Sequence, residues 1–258
     1  MKIKEIEKFI EGKAGKLGDE EGFLFGNPDE ELKGILVSWM ATTAAIKKAG
    51  KENCNLMIVH EDPFFPPSYA SNVVIEKYLS NRVNRARIEL LSKYGITVFR
   101  AHGTLDKLYI LDDAWKVLGF PKPIIKEGFY RIFQIKPIKI KDLAKKVKKA
   151  MKLDAMRVTG DLNKKVSRVG LPWGGLGLSI NAGFISRMLD YGVEALIAGE
   201  TDEYSMFAAS DSNVALIETS HTESENPGLS HFSKILKKKF TKLKIIFFSC
   251  PRPWKFFS

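Results

Sequence analysis

Apolar residues in this chain fall into short unbroken runs, separated by longer stretches in which they recur every three or four positions. The runs "KGILVSW" (33–39), "NLMIVH" (55–60) and "ITVFRAH" (96–102) predict strands. Between them, "TTAAIKKAGKE" and "NVVIEKYLSNRVNRARIELLSKYG" (72–95) predict helices, the second ending at Gly95, which suits a left-handed C′ position. A third helix, "LDKLYILDDAWKVLGF", meets Pro121 and Pro123, which open a connector carrying the strand "FYRIFQI". The alternation then resumes with the strands "LDAMRVTGD", "KVSRVGLP", "EALIAGE", "VALIETS" and "KIIFFSC". This rhythm predicts an α/β protein with two α/β domains built on mixed or parallel sheets. The connector places their boundary between residues 127 and 128, giving domains 1–127 and 128–258.

Composition narrows the chemistry. With 258 residues, 45% of them hydrophobic, the chain has the material for a substantial core. Cys54 and Cys250 are the only cysteines, which excludes a disulfide framework and a zinc site built on thiolates. Any metal must therefore rely on His, Asp and Glu. No apolar run approaches the ~18 residues of a membrane span, and the first residues lack the pattern of a signal peptide, so a cytoplasmic protein is expected. The 41 Lys and Arg against 30 Asp and Glu give +11, a balance that favours polyanions. The lysines concentrate in "KDLAKKVKKAMK" and "SKILKKKFTKLK", where helical spacing makes solvated faces the simpler explanation, so a nucleic-acid partner is possible without being indicated.

Three of the four histidines stand at the carboxyl ends of predicted strands: His60 after "NLMIV", His102 after "ITVFRA" and His221 after "VALIETS". In α/β sheets that edge is where ligands bind, because the strands stop there and the loops leave a crevice. Carboxylates lie close to each: Glu61 and Asp62, Asp106, and Glu223 and Glu225. Imidazoles and carboxylates converging from three loops are the donors a divalent metal needs. The plainer alternative is a set of histidines that cap backbone carbonyls, with "IETSHTESE" (217–225) an acidic loop. His231, inside the helical pattern "PGLSHFSKILKKKF", is read as structural.

These segments, in this order, resemble the YbgI or Nif-three-like family of dinuclear metal-centre proteins, also catalogued as GTP cyclohydrolase 1 type 2 homologues. "GFLFGNPDEELKGILVSWMATTAAIKKA" resembles the family's opening, "IVHEDPFF" its His-His-Pro segment, and "VFRAHGTLD" its His-Thr-Asn-Leu-Asp motif. "ALIAGETDEYSMFAA" resembles the Thr-Gly-Glu segment, and "SHTESE" the Gly-His-x-x-Ser-Glu motif. The resemblance implies a Nif-three-like fold with its metal site in the interdomain cleft. It implies two divalent metal ions (Zn, Mn, Fe or Mg) held by His60, Asp106, His221 and Glu225, with Asp106 and Glu225 bridging. Glu61 replaces the second histidine of the family pair, a harder donor that shifts preference toward Mn, Mg or Fe. His102 is expected to orient Asp106 or carry a proton, the catalytic role in this set. Ser220 stands where the family has glycine, and Tyr204 where many members carry histidine.

A metal-dependent hydrolase acting on a nucleotide or phosphoester is the function so implied. The alternative is a non-catalytic, metal-stabilised adaptor that binds proteins or nucleic acid. The resemblance also implies a homo-oligomer, dimer or hexamer. Two further segments stay open: "LPWGGLGLSINAG" (171–183), either a phosphate cradle or an ordinary turn, and Arg82, Arg85 and Arg87, facing either an anionic substrate or solvent. The apolar tail of Trp254, Phe256 and Phe257 is expected to pack on its own domain or on a partner subunit.

Overall fold

In the computed structural model, which describes residues 1–67, 78–255 and 257, the chain divides into two compact units. The first comprises Met1–Tyr109 and Leu229–Pro253, the second Ile110–Gly228 and Trp254–Ser258. A single cut after residue 127 does not describe this division. The strand "KIIFFSC", assigned from the sequence to the second domain, returns to the first, where Lys244–Phe248 pairs in parallel with Gly34–Ser38. Local sequence specifies that a segment is a strand; only the sheet decides which edge it extends.

The first unit carries a five-stranded sheet, with α1 (Glu5–Ala14), α2 (Thr43–Lys51) and α3 (Arg82–Tyr94) among its helices. Its strands are β1 (Gly22–Phe25), β2 (Gly34–Ser38), β3 (Leu56–Val59), β4 (Thr97–Arg100) and β11 (Lys244–Phe248), in spatial order β1-β4-β3-β2-β11. All neighbours are parallel except β1, which runs antiparallel to β4. Every residue of β2, β3 and β4 is buried, as continuous apolar runs in a doubly covered parallel sheet require. Leu36, Met57, Val59 and Val98 pack with Ile46 of α2 and Leu91 of α3. The predicted helix over 72–95 has residues 72–77 outside the described part; its visible end is capped by Gly95 at φ 59°, as expected. Strand β1 escaped the sequence pattern because it is a four-residue edge strand with only partial burial.

The second unit carries six strands: β5 (Ile125–Glu127), β6 (Tyr130–Lys139), β7 (Arg157–Thr159), β8 (Lys165–Gly170), β9 (Ala195–Ala198) and β10 (Ala215–Glu218). Their order is β5-β6-β8-β9-β10-β7, with parallel pairing only across β8, β9 and β10. Helices α5 (Ile140–Met151), α6 (Ala182–Asp190) and α7 (Glu203–Asp211) connect them. Both sheets are mixed, in line with the fold class read from the sequence.

Two helices cross the division between units. The first, α4, has three parts: Gly103–Leu105, a π-helical turn Asp106–Ile110 and Leu111–Val117. The second, α8 (His221–Lys239), begins six residues before Pro227, the first residue of the helical pattern read from the sequence, so residues 221–225 are helix and not loop. Its first turns bury Ser224, Glu225 and Asn226, polar residues that leave no apolar periodicity to detect. At the C-terminus, Phe256 lies outside the described residues, while Phe257 is fully exposed and Trp254 partly so; packing of the tail on its own domain fails for Phe257. Among the described residues no helix is long and apolar enough to cross a membrane.

Candidate metal centre

In the first unit the carboxyl ends of β3 and β4 lie side by side, which brings His60 and His102 together with ring centroids 4.7 Å apart. The amides of His60 and Glu61 both donate to the Trp39 carbonyl, at 3.1 and 2.8 Å, and fix the start of this loop. His60 is wholly buried, and its Nδ1 lies 3.2 Å from the carbonyl oxygen of Ala101. A carbonyl can only accept, so Nδ1 carries a proton, and Nε2 is turned toward Asp106 Oδ1, 3.6 Å away. That separation exceeds a hydrogen bond. Two donors bound to one ion at ~2.1 Å in tetrahedral geometry stand about 3.4 Å apart, so the spacing suits ligands that face each other across a cation.

Asp106 is the first residue of the π turn, an irregularity that re-aims side chains and recurs at functional sites. Its amide donates to the His102 carbonyl at 3.0 Å. His102 sits between two carboxylates, with Nδ1 2.7 Å from Glu20 Oε1 and Nε2 3.7 Å from Glu61 Oε1. Beneath them Arg100, 1% exposed, donates through Nε to the His60 carbonyl (3.3 Å) and places Nη1 3.3 Å from Asp62 and 3.5 Å from Glu20.

Glu21 ties down the turn between His102 and Asp106. It accepts the amide and hydroxyl of Thr104 at 2.9 and 2.7 Å, and the Gly18 amide at 2.7 Å. Burial pushes its carboxyl up, but these hydrogen bonds outweigh it and leave the pKa below the ordinary glutamate value. A depressed folded-state pKa contributes stability above the unfolded value, and that stability is lost as pH falls through the folded value. The midpoint of thermal unfolding should therefore fall less between pH 6 and the acid limit in Glu21→Gln than in the parent, as read by circular dichroism.

The second unit repeats the construction. β9 ends at Ala198 and is followed by Glu200; β10 ends at Glu218, and α8 opens on His221 three residues later. His221 Nδ1 lies 3.1 Å from Glu200 Oε2, and Nε2 lies 3.2 Å from Glu225 Oε1, one helical turn along the same face. Glu225 is 3% exposed. The glycine-rich segment 171–183 closes over this pair instead of forming a free phosphate cradle. Trp173 Nε1 donates to the Ser224 carbonyl, the Gly174 amide to Ser224 Oγ at 3.1 Å, and a Cβ on Gly174 would stand 2.1 Å from Glu225 Oε1 and 3.3 Å from His221 Nε2.

Ser220, where glycine was expected by resemblance, has φ 97°, a conformation that favours glycine. Its amide donates to the Gly199 carbonyl at 2.6 Å, which holds it there. Ser220→Gly relieves the strain and should raise stability by about 1 kcal/mol, measured by urea denaturation at unchanged m-value.

The structure thus gathers His60, Glu61, His102 and Asp106 in one unit, and His221 with Glu225 in the other. Sequence reasoning missed Glu200 and Glu20 as partners of imidazoles. Glu200 follows the same strand-end rule that singled out the histidines; Glu20, ahead of β1, carries no local signal. Arg82 and Arg85 are exposed, whereas Arg87 turns inward, donates to the Pro63 carbonyl at 2.6 Å and has its pKa lowered by burial. Tyr204 is exposed on α7, and the ring of His231 packs on Tyr109 at 5.2 Å.

The profile of the Duf34/NIF3 (NGG1p interacting factor 3) family matches residues 1–253. The chain belongs to the Duf34/NIF3 family. Among relatives of this Duf34/NIF3 protein, a GTP cyclohydrolase 1 type 2 homolog of Clostridium acetobutylicum is 25% identical over 239 residues, 88% of this chain and 85% of that one. The protein ybgI, solved as a protein of unknown function, superposes with a TM-score of 0.79 at 23% identity, over 98% of this chain and 100% of its own. A Bacillus cereus protein related to NIF3 gives 0.80 at 14% identity, over 100% and 99%. At these identities the structural likeness shows the fold.

Proposed function

We propose that this Duf34/NIF3 protein is a divalent-metal-dependent hydrolase acting on a nucleotide or a phosphoester. His60, Glu61 and Asp106 in one unit and His221 and Glu225 in the other are its metal ligands. The observation that carries the reading is the repeated construction of the two half-sites. In each, an imidazole has Nδ1 fixed on an acceptor, Ala101 O or Glu200 Oε2, and turns Nε2 to a carboxylate at 3.6 or 3.2 Å. Such an outer acceptor fixes the tautomer of a metal-binding histidine and raises its basicity.

When bound, divalent ions supply Lewis acidity, lowering the pKa of water and offsetting negative charge that develops on the substrate. Glu20 and Glu200 hold the imidazoles in place. Asp106 and Glu225 would hold the ions through their anionic oxygens, as the resemblance implies. Glu61 adds a hard oxygen donor, which moves preference toward Mn, Mg or Fe. Names of relatives such as the Clostridium protein support a nucleotide as first substrate to try.

The test is metal analysis of protein purified without added ions, followed by turnover of GTP and of phosphoesters with Mn or Zn supplied. About two ions per chain and hydrolysis that disappears in Asp106→Ala/His221→Ala are expected. Undiminished hydrolysis in that double variant, freed of metal, overturns the reading. Bound metal with no turnover across the panel favours the adaptor instead.

A further inference from the structure

We infer that His102 is itself a metal ligand, so that the first unit holds one divalent ion through His60, His102 and Asp106 with donors of its own. The inference rests on the metal-binding reading above and assigns His102 a role other than proton carrier.

Three observations carry it. One donor atom from each of His60, His102 and Asp106 lies within 4.8 Å of the others, all three inside the first unit. Both imidazoles have Nδ1 set against an acceptor, Ala101 O at 3.2 Å and Glu20 Oε1 at 2.7 Å, which leaves Nε2 of each ring as the atom to face a cation. The Glu20–His102 couple is the carboxylate–imidazole arrangement that orients a metal-bound histidine.

Position 61 carries a carboxylate, and the His102 ring stands with Nε2 3.7 Å from Glu61 Oε1. Two imidazoles and one carboxylate form a donor set that would suit Fe(II), Zn or Co(II). His102 adds a nitrogen donor from the neighbouring strand end. The competing arrangement is a protonated His102 bridging Glu20 and Glu61, which needs no metal.

The full chain, stripped by chelator, is titrated with Co(II) and read by the visible absorption of the bound ion, which reports nitrogen ligation. In His221→Ala/Glu225→Ala, where only the first unit's donors remain, about one ion per chain should still bind. Adding His102→Ala to that background should weaken binding about 100-fold and change the spectrum, and Glu20→Gln should weaken it about 10-fold. His102→Gln, which keeps a donor toward Glu20, gives the same loss if the alanine variant fails to fold. Co(II) affinity and spectrum unchanged by both substitutions at 102 overturn the inference and leave the hydrolase reading intact. So does loss of all binding in His221→Ala/Glu225→Ala. Absence of Co(II) binding by the unaltered protein removes both.

Discussion

Gly174→Ala is expected to lower divalent-ion affinity about 100-fold and to destabilise the protein by about 2–4 kcal/mol. A methyl group there meets Glu225 Oε1 at 2.1 Å, far inside contact distance, and Glu225 is too buried to swing into solvent. The backbone cannot retreat either. The Gly174 amide is held by Ser224 Oγ and its carbonyl by the Glu200 amide at 2.8 Å, so yielding at Gly174 disturbs the residue that orients His221. Gly174 also has φ 58°, which costs an alanine roughly 1 kcal/mol more. Gly183, with nothing within 4 Å of its notional Cβ, is the matched control and should be neutral or slightly stabilised as alanine. Calorimetric titration with Mn or Zn reads the affinity and urea denaturation the stability. Wild-type values for both in Gly174→Ala contradict the close packing of this loop on Glu225 and His221.

Arg100→Met is expected to cost about 3–5 kcal/mol, the range for breaking a buried ion pair from one side. The substitution keeps the volume of the stem but removes a buried cation that faces Asp62 and Glu20, and Asp62 is itself 6% exposed. It also releases the His60 carbonyl, so metal affinity should fall together with stability. Arg100→Lys should recover only part of the loss, because one ammonium cannot address the carbonyl and both carboxylates as the guanidinium fork does. Urea midpoints and metal titrations of the two variants measure this. Equal stability of Arg100→Met and the parent would falsify the account of a charge network beneath the half-site.

The charge network and the glycine contact show where sequence stopped being informative. The runs 34–38, 56–59 and 97–100 were legible as strands because a parallel sheet covered on both faces demands unbroken apolar residues, and these strands have them. Gly95 was legible as a helix end because few residues tolerate its φ of 59°. His60, His102 and His221 were legible as candidates because strand ends in α/β sheets share an edge, and Asp106 and Glu225 entered the candidate ligand set through a family resemblance. The first turns of α8 were not legible. They bury Ser224, Glu225 and Asn226 against a glycine-backed loop, and apolar periodicity has no purchase on polar burial.

By itself the sequence determined the kinds of element, their order, the mixed α/β class and the donor chemistry available, since each follows from local residue pattern or from the absence of enough cysteines for anything else. The tertiary structure alone decided that β11 completes the first sheet beside β2, some 200 residues away in the chain. It alone placed Glu20 on His102, Glu200 on His221, and the backbone of Gly174 against Glu225. Those are distances between residues remote in sequence, fixed by the packing of whole sheets and helices, and no short stretch of chain encodes them.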